Sequence, residues 1–171
     1  MNVVGFTGLI GSGKTLAADW LCSTADFKKL KMADPLKTML RSVGLDYNHI
    51  EGSLKEKPCE LLCGKTPRYA MQTLGTEWGR HTIGEDVWVN MWAHQAQELL
   101  NLNIGVVTDD IRYENEARII REMDGFVIRI VRPDIQQSGH ISEEQDFKVD
   151  YTVQNNGSPA ELTAKLYQIL C

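Results

Sequence analysis

Eight residues near the start of the chain constrain it more than any others: Gly8-Leu9-Ile10-Gly11-Ser12-Gly13-Lys14-Thr15, a complete GxxxxGK[ST] pattern. An apolar run at 2–7 precedes the pattern and a segment of helical periodicity at 13–23 follows it, which is the strand–loop–helix setting it needs. Glycine lets the backbone curl until successive N–H groups point inward, and the start of the next helix adds about half a positive charge. Such a cradle takes phosphate oxygens. Gly11, Ser12, Gly13, Lys14, Thr15 and Leu16 are the candidate contacts, with Lys14 reaching the outer phosphates of ATP and Thr15 holding Mg²⁺.

Short apolar runs alternate with helical segments along the rest of the chain, the pattern of a parallel sheet with crossover helices. Strands are expected at 2–7, 28–32, 104–108, 126–131 and 151–154. The expectation is one three-layer α/β domain over 1–171, with five parallel strands in the order 2-3-1-4-5. Leu16, Trp20 and Leu21 would form the buried face of the first helix. Asp34-Pro35 reads as an N-cap and first-turn proline before a helix burying Leu36, Met39, Leu40 and Val43. Residues 44–65 read as a mobile connection or small helical insertion. Thr66-Pro67 opens a helix broken near Gly75 or Gly79, and Asp86 caps a longer one with Val87, Met91 and Leu99 at apolar positions. Ser158-Pro159-Ala160-Glu161 is a capping box for a last helix carrying Leu162, Leu166, Ile169 and Leu170 inward.

Composition removes several classes. A net charge of −5, from 18 Lys+Arg against 23 Asp+Glu, argues against a duplex-binding surface and leaves small anionic ligands as partners. No stretch approaches the roughly 18–20 apolar residues of a membrane span, and the start lacks a basic leader, so a cytoplasmic protein is expected. Cys59 and Cys63 with His81 lack a fourth ligand at suitable spacing for zinc.

Ligands in open α/β sheets lie beyond the carboxyl ends of the strands. Asp109 and Asp110 end the 104–108 strand where a Walker-B acid would hold hydrated Mg²⁺; Asp109 is favoured and Asp110 is the alternate. Arg112, counted with the acceptor-binding residues, can meet phosphate or pair with Glu116 at i,i+4. Arg132 ends the next strand with Arg129 just before, and 132–147 reads as a lid that would bring Arg132 to the transferring phosphoryl group and exclude water. His140 is at most a lid contact. Asn155, just past the last strand, joins the ATP-binding set.

An acceptor site is expected in the insertion at about 44–100. Arg68, Gln72, Thr76 and Arg80 recur every four residues, a row that suits a phosphate and a base edge, and a solvated face gives the same pattern. Asp34, Lys37 and Trp88 are added for a sugar hydroxyl, a phosphate and base stacking; Trp88 and Trp92 fit a core equally well.

The loop, Lys31-Met32-Ala33-Asp34-Pro35-Leu36-Lys37, Gln72-Thr73-Leu74-Gly75-Thr76-Glu77-Trp78-Gly79-Arg80, Val107-Thr108-Asp109-Asp110-Ile111-Arg112-Tyr113-Glu114-Asn115-Glu116 and Gly139-His140-Ile141-Ser142-Glu143 together resemble the bacteriophage deoxynucleoside monophosphate kinase family. The resemblance spans nearly the whole chain. It implies a P-loop kinase fold and Mg²⁺-dependent transfer of the ATP γ-phosphoryl group to a deoxynucleoside 5′-monophosphate, in a host bacterial cytoplasm, and leaves a homodimer open. The doubled acid departs from the family's usual single acid. Dephospho-coenzyme A kinase is similar in its glycine-rich start and its Asn-Asn-Gly-Ser ending, but usually has an Asp-Ala-Asp triplet where this chain reads Met32-Ala33-Asp34. A nucleotide-binding regulator without transfer chemistry is the alternative of another class.

Overall fold

All five residues of strand β1 (Val3–Thr7) are buried, as expected of a central parallel strand covered on both faces. The computed structural model describes residues 2–133, 135 and 147–170. β1 pairs in parallel with β3 (Gly105–Thr108) and β4 (Phe126–Val131), while β2 (Phe27–Lys29) and β5 (Tyr151–Gln154) form the edges. The order β2-β3-β1-β4-β5 is the expected one. Because β2 and β3 lie on one side of β1 and β4 and β5 on the other, the winding reverses at β1, whose carboxyl end is where open α/β sheets take their ligands.

The chain divides into two compact units, residues 1–32 with 93–171, and Ala33–Trp92. In the first, α1 (Lys14–Thr24) buries Ala17, Ala18 and Leu21, and α7 (Pro159–Leu170) buries Leu162 and Leu166, against Val4, Phe6, Ile128 and Ile130 of the sheet. Each such leucine contributes about 1.5–3 kcal/mol. Helix α6 (Glu114–Glu122) buries Ala117 and Ile120. Gly5 admits this packing, since a Cβ there would lie 2.4 Å from Ile120 Cδ1. Leu16, expected on the buried face of α1, is exposed instead, because the small Ala17 and Ala18 are what allow the helix close to the sheet.

The second unit holds α2 (Asp34–Ser42), α3 (Tyr47–Ile50), a 3₁₀ turn (Glu60–Leu62), α4 (Pro67–Thr73), a π-helix (Leu74–Ile83) and the start of α5 (Val87–Asn101). Leu40, Leu45 and Ile50 form its core, joined by Leu36, Leu62, Ala70, Met71 and Leu74. The 44–65 segment is therefore a packed helical insertion. The N-cap of α2 is Ala33, and Asp34 is already helical; Met39 and Val43 face solvent while Lys37 is buried. Thr66 caps α4 by accepting from Tyr69 N–H, as the Thr-Pro start predicts. No break follows at Gly75 or Gly79: the helix widens into π geometry at Leu74 and runs on to Ile83. In α5 the buried stripe is Trp88, Val89, Trp92 and Ala96, with Met91 exposed. No helix among the described residues is long and apolar enough to cross a membrane.

Candidate active site

The loop between β1 and α1 takes its shape from left-handed backbone at Gly8 (φ 140°), Gly11 (φ 81°) and Gly13 (φ 109°). Space is as restrictive as φ: a Cβ on Gly8 would lie 2.3 Å from Ile130 O, and one on Gly13 2.7 Å from Asn155 Nδ2. Asn155 donates its backbone N–H to Val131 O (2.7 Å) and its side-chain Nδ2 to Ser12 O (2.8 Å), so it ties the loop to the end of β4. Its amide nitrogen thus braces the cradle from the protein side. Lys14 Nζ lies 2.7 Å from both Gly8 O and Leu9 O, bridging the loop's own carbonyls. Ser12 Oγ is buried without a hydrogen-bond partner among the described residues. A buried hydroxyl left so is costly unless a ligand oxygen or water completes it.

Beside the loop, Thr15 Oγ1 donates to Asp109 Oδ2 at 2.9 Å. Asp109 is 4% exposed, and its other oxygen, Oδ1, has no hydrogen bond among the described residues; Lys31 Nζ stands 3.5 Å from it. A threonine hydroxyl and a carboxylate are the hard oxygen donors that Mg²⁺ prefers, and a buried carboxylate oxygen without a hydrogen bond is where a cation gains most. The residues fit the ion. Asp110 turns elsewhere, its Oδ1 accepting from Met32 N–H (2.9 Å) and Thr108 Oγ1 (2.7 Å). Geometry thus separates two acids that are adjacent in sequence. Lys31 was not among the residues singled out from the sequence, since nothing local marks a lysine past a short edge strand as the neighbour of an acid 78 positions on.

Glu116 does not pair with the Arg112 side chain. Its carboxylate accepts the backbone N–H groups of Arg112 (2.7 Å) and Tyr113 (3.2 Å), capping α6. The exposed Arg112 guanidinium makes no hydrogen bond or ion pair among the described residues. Arg132 is likewise exposed at the end of β4. Arg129 donates to Phe147 O (3.0 Å) and lies 5.7 Å from that ring's centroid, which anchors the chain as it returns to the sheet. His140 and nearly all of the expected lid lie outside the described residues.

In the second unit Arg68, Gln72 and Thr76 are exposed and Arg80 is half-buried. A four-residue step drifts about 40° around an α-helix, and the wider π turn from Leu74 reverses that drift, so the row stays together. Arg68 Nε donates to Glu56 Oε1 at 2.5 Å and Arg80 Nη1 to Glu85 O at 3.3 Å. Asp34 is half-buried at the first turn of α2. Lys37, expected to meet phosphate, is buried and paired with Glu51 at 2.5 Å, an ion pair that fixes α2 within its own unit. Trp88, expected to stack on a base, is 3% exposed, donates Nε1–H to Gly75 O (2.8 Å) and packs on Gly79. It is core. The exposed ring beside it is Trp78, 6.1 Å away between centroids.

Lys55 was also not singled out. Half-buried, its ammonium makes no hydrogen bond or ion pair among the described residues, while its backbone O accepts from Arg68 N–H at 3.0 Å. Burial, then the charge of Arg68, push the Lys55 ammonium down from the ordinary lysine value of 10.5, with Glu51 opposing and Lys37 adding to the fall.

This fold is shared with solved kinases of low sequence identity. Shikimate kinase from Aquifex aeolicus is 14% identical at a TM-score of 0.53, covering 98% of this chain and 95% of its own. Adenylyl-sulfate (APS) kinase from Mycobacterium tuberculosis is 16% identical at 0.51, covering 99% and 96%. Dephospho-CoA kinase from Campylobacter jejuni is 16% identical at 0.50, covering 99% and 95%. These likenesses show the fold alone. A protein of Acanthamoeba polyphaga mimivirus named "Putative deoxynucleotide monophosphate kinase" is 34% identical over 147 residues, 79% of this chain and 76% of its own length. Residues 64–166, which include the Arg68–Arg80 row, Asp109 and Asn155, match the family described as deoxynucleotide monophosphate kinase. With more than half of the chain matched and such a relative, this chain belongs to the deoxynucleotide monophosphate kinase family.

Proposed function

We propose that the protein transfers the γ-phosphoryl group of ATP to a deoxynucleoside 5′-monophosphate, giving ADP and the deoxynucleoside diphosphate. The observation that carries the reading is the Thr15–Asp109 contact beside the glycine cradle, with a buried carboxylate oxygen left without a hydrogen bond among the described residues. The cradle's N–H groups hold the phosphate tail, and Lys14 exchanges the carbonyls of Gly8 and Leu9 for the outer phosphates. Mg²⁺, when bound at Thr15 and Asp109, neutralises charge on the phosphates. A phosphate oxygen of the acceptor attacks the γ-phosphorus as the bond to the β-bridging oxygen breaks. Arg132 and Arg112 supply charge to the transferring group, since little else is needed for this chemistry.

Acceptor binding falls to residues of the second unit. Arg68 and Arg80 take the phosphate, aided by the half-buried cation Lys55. Gln72 and Thr76 meet the base edge, and Asp34 a sugar hydroxyl. Trp78 supplies the exposed aromatic face. Nothing observed favours dephospho-coenzyme A as acceptor, and the Arg68–Arg80 row has no use in a passive nucleotide regulator.

The test is a coupled assay of ADP formation against the deoxynucleoside monophosphates, their ribonucleotide counterparts and dephospho-coenzyme A. Turnover with one or more deoxynucleoside monophosphates is expected. Turnover confined to dephospho-coenzyme A, or none with any acceptor, would reject the reading.

A further inference from the structure

Lys31 is held in place from both sides. Leu30 N–H donates to Val107 O at 2.9 Å, carrying the β2–β3 pairing beyond the strand, and Met32 N–H donates to Asp110 Oδ1 at 2.9 Å. Met32 is itself buried. Between these anchors the Lys31 ammonium comes to 3.5 Å from Asp109 Oδ1, the buried oxygen that no hydrogen bond satisfies among the described residues. The lysine side chain is about one-third exposed (32%) and the carboxylate scarcely so (2%). A long, partly solvated cation beside a buried acid can move, whereas the acid cannot.

We propose that Lys31 is the resident counter-ion of the metal seat: its ammonium balances Asp109 when no divalent ion is bound and yields the carboxylate when one arrives with nucleotide. This rests on the reading of Asp109 as the metal acid. A buried carboxylate needs a partner charge, and Lys31 supplies it in the ligand-free protein. A divalent ion placed on the same carboxylate repels the ammonium at close range. An ion arriving alone must therefore displace Lys31 without compensation. Arriving with ATP, it brings phosphate oxygens toward which the ammonium can turn. Lys31 thus makes the seat poor for free metal and good for the metal–nucleotide complex, coupling the two binding events.

The probe is Mn²⁺ in place of Mg²⁺, titrated into nucleotide-free protein with the free ion read by electron paramagnetic resonance. Lys31→Met is expected to bind Mn²⁺ at least tenfold more tightly than the parent, Lys31→Arg to stay near the parent, and Asp109→Asn added to Lys31→Met to abolish the gain. Thermal unfolding gives an independent reading: without metal Lys31→Met melts below the parent, and saturating Mn²⁺ closes the gap. Lys31→Gln replaces Lys31→Met if the latter does not fold. Equal Mn²⁺ affinity in the parent and the neutral variant overturns the proposal, as does a gain that survives Asp109→Asn. Failure of the underlying metal reading is distinguishable, because Asp109→Asn in the parent background would then leave Mn²⁺·ATP binding unchanged, and both inferences would fall.

Discussion

Asp110 accepts the Met32 backbone N–H at 2.9 Å, while its neighbour Asp109 accepts Thr15 Oγ1 at 2.9 Å beside the phosphate loop. One acid is taken up by the chain's own N–H, and the other faces the loop proposed to hold the nucleotide. Asp109→Asn is expected to fold normally and to lose phosphoryl transfer by about 10²–10³-fold together with its response to Mg²⁺, the scale on which a single charge-stabilising group acts. Asp110→Ala should cost about 1–3 kcal/mol, since it leaves Met32 N–H and Thr108 Oγ1 without their acceptor. Urea unfolding and steady-state kinetics on both variants separate the two effects. A more active Asp109→Asn than Asp110→Ala, measured where both are folded, would reverse the assignment.

Lys14→Ala should leave the unfolding free energy within about 1 kcal/mol of the parent, because the ammonium donates to the loop carbonyls of Gly8 and Leu9 at a partly exposed surface. Its turnover is expected to fall by at least about 10²-fold. Near-normal turnover in a folded Lys14→Ala protein would remove the lysine from the reaction.

The curled loop between β1 and α1 was legible in the sequence because glycines at fixed spacing mark left-handed backbone, and the sheet order followed from alternating apolar runs. Helix phase was harder. Leu16, Met39 and Val43 fit an apolar stripe by type, yet alanines and a paired lysine occupy the buried positions, choices set by how closely elements approach. The continuous helix through Gly75 and Gly79 was hidden for a related reason. Glycine there signals a break in isolation, but Gly79 is small because Trp88 lies on it. Lys31 and Lys55 acquire their significance only from partners distant in sequence or from burial, neither of which local spacing records.

Gly79→Ala tests that packing directly. A Cβ at Gly79 would lie 2.5 Å from Trp88 ring atoms, and the ring cannot retreat freely while its Nε1–H is bonded to Gly75 O. The expected loss is about 1–3 kcal/mol, as for other overpacked sites. Gly75→Ala is the control: its Cβ would meet Leu36 Cδ2 at an ordinary 3.5 Å, so helix propensity should make it neutral or stabilising by up to about 1 kcal/mol. Equal losses in urea unfolding would show that the π-helix, rather than the Trp88 contact, sets the requirement for glycine.

Arg80→Ala and Arg68→Ala bear on the acceptor. Losing one charged hydrogen bond to phosphate costs about 1.5–3 kcal/mol, so the acceptor KM should rise at least about tenfold. The KM for ATP should stay within about twofold, since the proposed phosphate loop with Lys14 belongs to the other unit. Parallel rises in both constants would mean that the arginine row does not belong to the acceptor.

Lys55→Met carries a prediction with a definite sign. The folded-state ammonium titrates below the unfolded value of 10.5, so between those two points the unfolded chain binds more protons and stability rises with pH. Below that window both states are charged and the full penalty of burial applies. Lys55→Met, similar in length and uncharged, should therefore be more stable than the parent at neutral pH, with a gain that shrinks as pH climbs toward 10.5. If Lys55 also holds the acceptor's phosphate, the same variant should show a raised acceptor KM, trading binding for stability. Urea unfolding at neutral and alkaline pH reads the first effect and kinetics the second. A stability gain independent of pH would show that packing around the side chain, not its charge, was the source.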